Sequence, residues 1–279
     1  MSDLAGRTFL VTGGNAGIGY ATALELAQRG GRVHIACRSA AKGEAALAAI
    51  AAQTGSEQLN LLRLDLADLA SVRECAAEFL AMGEPLHVLI NNAGVGGRRG
   101  STADGFEVQF GVNHLGHFAL TQALLPLLRQ SPQARIVTVA SDSHYQAKGI
   151  PFEDLRSPTK SLVGLREYAV SKLCNVLFSA ELGRREPEVA TYSLHPGVVA
   201  SQIWSRVPWP ARQLLTRRML TIEQGARTSL YCATSPDVAG DTGKFYDKCQ
   251  VTEPSKLVTA ELAAELWKYS EQWAGDGQA

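Results

Sequence analysis

Short β-rich apolar runs alternate along this chain with longer segments of helical periodicity, and that alternation narrows the fold more than any other feature. Strands are expected at Thr8 to Thr12, Arg32 to Cys37, Leu59 to Leu64, Leu86 to Asn91, Arg135 to Ala140, Ala190 to His195 and Gly243 to Asp247. Several are apolar almost throughout, as strands are when both faces of their sheet are covered. Helices are expected near 17–29, 40–53, 68–81, 103–129, 162–185, 221–234 and 259–273. Asp68 caps the third, whose Leu69, Val72, Ala76 and Phe79 form an apolar stripe. Thr221 to Gln224 is a capping box. The alternation predicts a parallel sheet wrapped on both faces. Right-handed crossovers then restrict the topology to a doubly wound, Rossmann-type α/β sheet. With no internal repeat or linker, residues 1–279 are expected to form a single domain.

Composition excludes some partners. The net charge is zero, with 27 residues of each sign and no acidic or basic block, so nucleic acid is not an expected partner. The five cysteines, Cys37, Cys75, Cys174, Cys232 and Cys249, are odd in number, scattered and without a Cys-x-x-Cys pair. They read as free thiols in a reducing cytoplasm, and no metal site is expected. The first strand starts near Arg7, leaving no room for a signal peptide before it. No apolar run reaches the length of a membrane span.

Between the first strand and first helix lies Thr12-Gly13-Gly14-Asn15-Ala16-Gly17-Ile18-Gly19. Glycines here permit a tight turn and let backbone N–H groups approach a pyrophosphate, and the helix dipole adds to the attraction for anions. The spacing Gly-x-x-x-Gly-x-Gly differs from the commoner Gly-x-Gly-x-x-Gly. At the end of the second strand, a fold selective for NAD often has a carboxylate for the ribose 2′-OH. This chain has Arg38 there, followed by Lys42, which suits a 2′-phosphate and hence NADP(H). Asp65 and Leu66 end the third strand; Asp65 either bonds the adenine amino group or serves only as a helix-entry residue.

Tyr168 and Lys172 are one helical turn apart, so their side chains share a face. An unperturbed tyrosine has a pKa of about 10. A positive charge about 4 Å away, at an effective dielectric near 20, favours the phenolate by roughly 4 kcal/mol. That is about three pKa units, enough to bring a phenol near 7. A proton donor matched to the working pH is what carbonyl reduction needs.

Taken together, these motifs resemble the short-chain dehydrogenase/reductase family over nearly the whole chain. In the resemblance, Asn92, Ala93 and Gly94 belong to the segment after the fourth strand that lies against the cofactor. Asn113, Ser141, Tyr168 and Lys172 match the catalytic tetrad. Pro196, Gly197, Val199 and Ser201 match the segment that holds the nicotinamide carboxamide. Ala36-Cys37-Arg38, Phe110 to Phe118, Ser171 to Asn175 and Thr191 to Gly197 are similar to the retinol-dehydrogenase-like group. So is the long gap between Ser141 and Tyr168. That group implies NADP(H)-dependent interconversion of a carbonyl and an alcohol. Tyr168 is expected to pass the proton, Ser141 to hydrogen-bond the carbonyl oxygen, Lys172 to depress the tyrosine pKa and hold the nicotinamide ribose, and Asn113 to orient a water that links Lys172 to solvent. The family is often dimeric or tetrameric through the helices near 103–129 and 162–185, so a homodimer or homotetramer is expected.

The substrate side is less defined. Residues 200–222 are expected to form a lid beyond the sheet's carboxyl edge, with Trp204 and Trp209 among its apolar residues; a lid of this kind suits a hydrophobic substrate. His144 is a candidate for the cleft lining because it follows Ser141 closely. His114 and His117 stand at i, i+3 beside Asn113, a metal-compatible spacing, but no third ligand follows at a telling interval, and packing or capping is the expected role. Two other readings are a non-catalytic NADP(H) sensor and a sugar-nucleotide epimerase-like relative. The first is expected to lose tetrad residues, and the second to show a different glycine spacing.

Overall fold

The computed structural model describes residues 3–199 and 219–275. Eight strands, β1 (Thr8–Thr12), β2 (Arg32–Cys37), β3 (Leu59–Arg63), β4 (Val88–Asn91), β5 (Arg135–Val139), β6 (Ala190–His195), β7 (Lys244–Asp247) and β8 (Gln250–Val251), form one sheet in the order β3-β2-β1-β4-β5-β6-β7-β8. All neighbours pair in parallel except β7 and β8. Chain order reverses between β1 and β4, and the crevice outside the strand ends there is where an open α/β sheet takes ligands. This is the doubly wound sheet that the alternation predicts.

The helices are α1 (Gly17–Gln28), α2 (Ala40–Thr54), α3 (Leu69–Ala81), α4 (Val108–Phe110), α5 (Gly116–Gln130), α6 (Leu165–Arg185), α7 (Ile222–Thr234) and α8 (Ala260–Gly275). Alternate residues of each strand point to opposite faces. Phe9, Val11, Val33, Ile35, Val137 and Val139 pack with α1, α2 and α7 residues such as Leu26, Ile50 and Ala233. Leu10, Leu62, Leu89 and Ile136 pack on the other side with Phe79, Leu124, Phe178 and Trp267. Asp68 accepts from the Ala70 and Ser71 amides at the start of α3, and the Thr221–Gln224 capping box is formed.

Two helix starts differ from the sequence expectation. The helix expected from 103 begins at Val108 because Glu107, fully buried, accepts from the Gln109 and Phe110 amides at 2.8 Å each. It then passes through a π-turn, Gly111–Leu115, before α5. The helix expected from 162 begins at Leu165 because Gly164 adopts φ +68°, outside the helical region.

Helix α8 lies across α5 and α6, the helices expected to mediate assembly. Trp267 packs edge-on to Phe118 at 5.1 Å and stacks on Phe178 at 6.0 Å, while Arg185 covers it at 4.5 Å. Trp267→Ala leaves a cavity between three helices. It is expected to cost about 3–5 kcal/mol, read as a lower midpoint in chemical denaturation; an unchanged midpoint contradicts this packing.

Candidate active site

The glycine turn wraps the carboxyl end of β1. Gly13 sits at φ +68°, and its amide bonds the Ala36 carbonyl at 2.7 Å. A Cβ on Gly13 would stand 3.0 Å from the Ala93 Cα, and one on Gly19 would run into Asn92 Nδ2 and the Gly13 carbonyl. The first turn of α1 has no side-chain cap at Ala16 and no acidic residue. Among the described residues no side chain occupies its amides and positive dipole end, which can therefore take an anion, with the glycine turn beside them. Residues Gly13 to Gly19 fit a nucleotide pyrophosphate on this geometry, Asn15 included in the turn.

Asn92 and Ala93 are tied to that turn. Their amides donate to Thr12 Oγ1 at 2.9 and 3.0 Å, and Asn92 Nδ2 donates to the Thr12 carbonyl at 2.7 Å. Gly94 faces the tetrad: a Cβ there would lie 3.2 Å from Asn113 Oδ1 and 3.7 Å from Lys172 Nζ. Ile18 and Val199 meet over Gly225 of α7, and Val199 pairs with Leu220, which brings the segment after β6 onto the glycine turn. Gly197 packs beneath Leu220, directly after Pro196. Arg38 and Lys42 are exposed, beside the Ser39 cap of α2, and neither is ion-paired among the described residues. Asp65 uses Oδ1 to accept the Ala67 amide at 3.0 Å, and Leu66 is buried against Gly116.

The four tetrad positions converge. Asn113, on the π-turn, accepts the Val95 amide at 2.8 Å and donates to the Val95 carbonyl and to Ser171 Oγ, both at 2.9 Å. Ser171 in turn donates to the Tyr168 carbonyl at 2.8 Å. Lys172 is buried, and its Nζ donates to the Val139 carbonyl at 2.8 Å and lies 5.7 Å from the Tyr168 ring centroid. Ser141 faces the Tyr168 hydroxyl and favours its ionised form, while its Oγ donates to Asp142 Oδ1 at 3.0 Å.

The electrostatics correct one expectation. Burial pushes the Tyr168 phenol above its ordinary value; the Ser141 hydrogen bond opposes this, and the Asp142 carboxylate adds to it. The phenol is thus shifted opposite to the expected direction, and the Lys172 ammonium donates to the Val139 carbonyl. Burial lowers Lys172 itself to about 8.

His144 is a second correction. It is fully buried, with Nδ1 bonded to the Ser141 carbonyl at 2.6 Å and Nε2 accepting the Ser255 amide at 3.1 Å. Both nitrogens are committed to backbone, so it braces the Ser141 loop rather than lining a cleft. Ser201, Trp204, Trp209 and nearly all of the expected lid lie outside the described residues. His114 bonds Ser270 at 2.9 Å, and among the described residues no three His, Cys, Asp or Glu side chains could hold a metal.

Some contacts at the site were not anticipated. Ser171 stands within Tyr-x-x-Ser-Lys, where its hydroxyl reaches Asn113 across the helix pair. Asp142 and His195 flank Ser141, with the Asp142 amide donating to His195 Nδ1 at 3.2 Å. His117 follows Asn113 by four residues, a spacing that sets its ring over the Asn113 carbonyl.

A family model described as short chain dehydrogenase matches residues 7–152. Retinol dehydrogenase 12 of Homo sapiens is 44% identical over 279 residues, spanning 98% of this chain and 88% of its own. The chain belongs to the short-chain dehydrogenase family. Retinol dehydrogenase 11 of Mus musculus is likewise 44% identical, over 96% of this chain and 86% of its own. The crystal structure of an uncharacterized protein from Mycobacterium Paratuberculosis superposes with a TM-score of 0.77 at 36% identity, covering 97% of this chain and 94% of that one. As in other family members, this is an oxidoreductase that uses a nicotinamide cofactor and acts on a small molecule.

The Lys172 shift has a stability consequence. Its folded-state pKa, about 8, lies below the unfolded value near 10.4, so between these values the unfolded chain binds more protons than the folded one. Stability from this group therefore rises with pH across that window and is absent below about 8. Against Lys172→Met, the wild type should gain up to about 1 kcal/mol per pH unit there, measured by urea denaturation at several pH values. Parallel stability curves for the two proteins contradict the burial.

Proposed function

We propose that this protein interconverts a carbonyl and an alcohol on a small apolar or aromatic substrate, with NADP(H) as cofactor and Tyr168 as general acid and base. The observation that carries the reading is the convergence of Ser141, Tyr168 and Lys172 beside a glycine turn that leaves a helix N-terminus open. Held there, the nicotinamide supplies or accepts the hydride. Gly13 to Gly19 take the pyrophosphate, and Arg38 and Lys42 take the 2′-phosphate, consistent with their exposure and with the lack of a carboxylate at the end of β2. Asn92 to Gly94 and Pro196 to Val199 flank the nicotinamide half.

In reduction, the Tyr168 hydroxyl donates its proton to the carbonyl oxygen as charge builds there. Ser141 donates a hydrogen bond to the same oxygen. Lys172 and Asn113 resupply the proton from behind the phenol. A phenol held above its ordinary value is protonated at neutral pH, the state that reduction needs. Alcohol oxidation needs the phenolate, so its rate rises with pH. An apolar substrate is favoured because the similar relatives are retinol dehydrogenases by name. Free thiols at all five cysteines accord with a cytoplasmic location, and no helix among the described residues is long and apolar enough to cross a membrane.

The test follows NADPH and NADH consumption against a panel of aldehydes, ketones and quinones, retinaldehyde included. NADPH should be preferred. Tyr168→Phe should lose about a thousandfold in turnover while still binding NADPH by fluorescence titration. Turnover within a few fold of wild type in that variant overturns the assignment. Silence of the wild type across the panel with intact NADPH binding favours a cofactor sensor.

A further inference from the structure

The proton positions around His117 can be assigned from geometry alone. His117 is buried, and its Nδ1 lies 3.0 Å from the Asn113 main-chain carbonyl. A carbonyl only accepts, so Nδ1 carries the ring proton. Nε2 is then an acceptor, and it lies 2.9 Å from Thr12 Oγ1. That oxygen already accepts two amides, from Asn92 and Ala93. Its own proton has two acceptors in reach, His117 Nε2 at 2.9 Å and the Ile90 carbonyl at 3.3 Å. The shorter contact wins, because otherwise Nε2 would be a buried acceptor with no donor, at a cost of about 1–3 kcal/mol. The opposite tautomer would set Nδ1 against the Asn113 carbonyl, lone pair to lone pair, and crowd three donors onto Thr12.

The resulting chain has one direction. The Asn92 and Ala93 amides donate to Thr12, Thr12 donates to His117, and His117 donates to the Asn113 carbonyl. It joins the end of β1, the loop after β4 and the π-turn. We infer that His117 is a positioning residue, a neutral imidazole that locks the Asn113 π-turn to the glycine turn and so sets the Asn113 and Lys172 side of the site relative to the cofactor. This inference rests on the catalytic reading above. Two properties of the site keep the ring neutral: it is buried, and the Lys172 ammonium opposes a second positive charge nearby; both lower its pKa, to about 4. Asn113 could hold its side-chain contacts to Val95 and Ser171 without this bond, but its backbone would then have no tie to Thr12.

The test combines two readouts. In ¹⁵N-imidazole spectra of the six-histidine chain, the signal lost in His117→Phe should be a neutral ring protonated at Nδ1 that does not titrate between about pH 6 and 9. A ring protonated at Nε2, or one that titrates in this range, overturns the assignment, and this readout needs no substrate. In turnover of the panel carbonyl that the wild type reduces fastest, His117→Phe should lower kcat by about tenfold to a hundredfold, the scale of small misplacements at a reacting centre. KM for the carbonyl should stay within a few fold. Thr12→Val should lose a similar factor, Thr12→Ser should keep wild-type kcat, and the Thr12→Val/His117→Phe double variant should be no slower than the slower single one. A packing role alone would lower the melting temperature with kcat unchanged, or give additive losses, and either result overturns the inference. If His117→Phe does not fold, the Thr12→Val and Thr12→Ser pair decides. If the wild type turns over no carbonyl, the functional reading fails and the spectra still decide the bond.

Discussion

The Asn113 carboxamide holds three parts of the site in one geometry. It accepts from and donates to Val95, across the loop that follows β4, and it donates to Ser171 on α6. Ser171 passes the contact to the Tyr168 backbone. Loop, π-turn and tyrosine helix therefore cannot shift independently without stranding a buried amide, at about 1–3 kcal/mol per unpaired group. The π-turn is what aims this side chain. One extra residue in the turn, with the Gly116 amide bonded back to the Gly111 carbonyl, displaces the side chains that follow from a plain α-helical register.

Burial does the remaining electrostatic tuning. Lys172 and Tyr168 are neighbours on a helix face, yet desolvation outweighs their mutual field: the lysine moves down to about 8 and the phenol moves up. Both shifts favour neutral groups, as expected of polar side chains taken out of water. The Val139 carbonyl partly offsets the cost for the ammonium.

Much of this was legible in the residues. Strand positions follow from apolar runs, though Leu64, Leu86, Ala140 and Gly243 are apolar or small without belonging to the ladder, so the expected ends overshoot by a residue or two. Strand β8 was not foreseen, because its turn uses Lys248 and Cys249 at positive φ, where glycine or asparagine would normally mark a hairpin. The Asp68 cap was readable, while Glu107, a residue type less common at that position, was not. The four tetrad positions, which the structure brings close together, were named from the family resemblance. Their pKa values were not legible, since spacing shows which groups can meet but not how much water reaches them. His144 and His117 show the same limit. Both sit close in sequence to tetrad residues, and only the three-dimensional arrangement reveals that their nitrogens are committed to backbone and Thr12.

The most direct measurement is a crystal structure with NADPH bound. The pyrophosphate should lie on the amides that open α1, the 2′-phosphate against Arg38 and Lys42, and the nicotinamide ring between the Pro196–Gly197 segment and the Tyr168 hydroxyl. The Thr12, His117 and Asn113 contacts should be unbroken. Density for the nucleotide away from the glycine turn, or a nicotinamide ring on the far side of α6 from Tyr168, would contradict this placement.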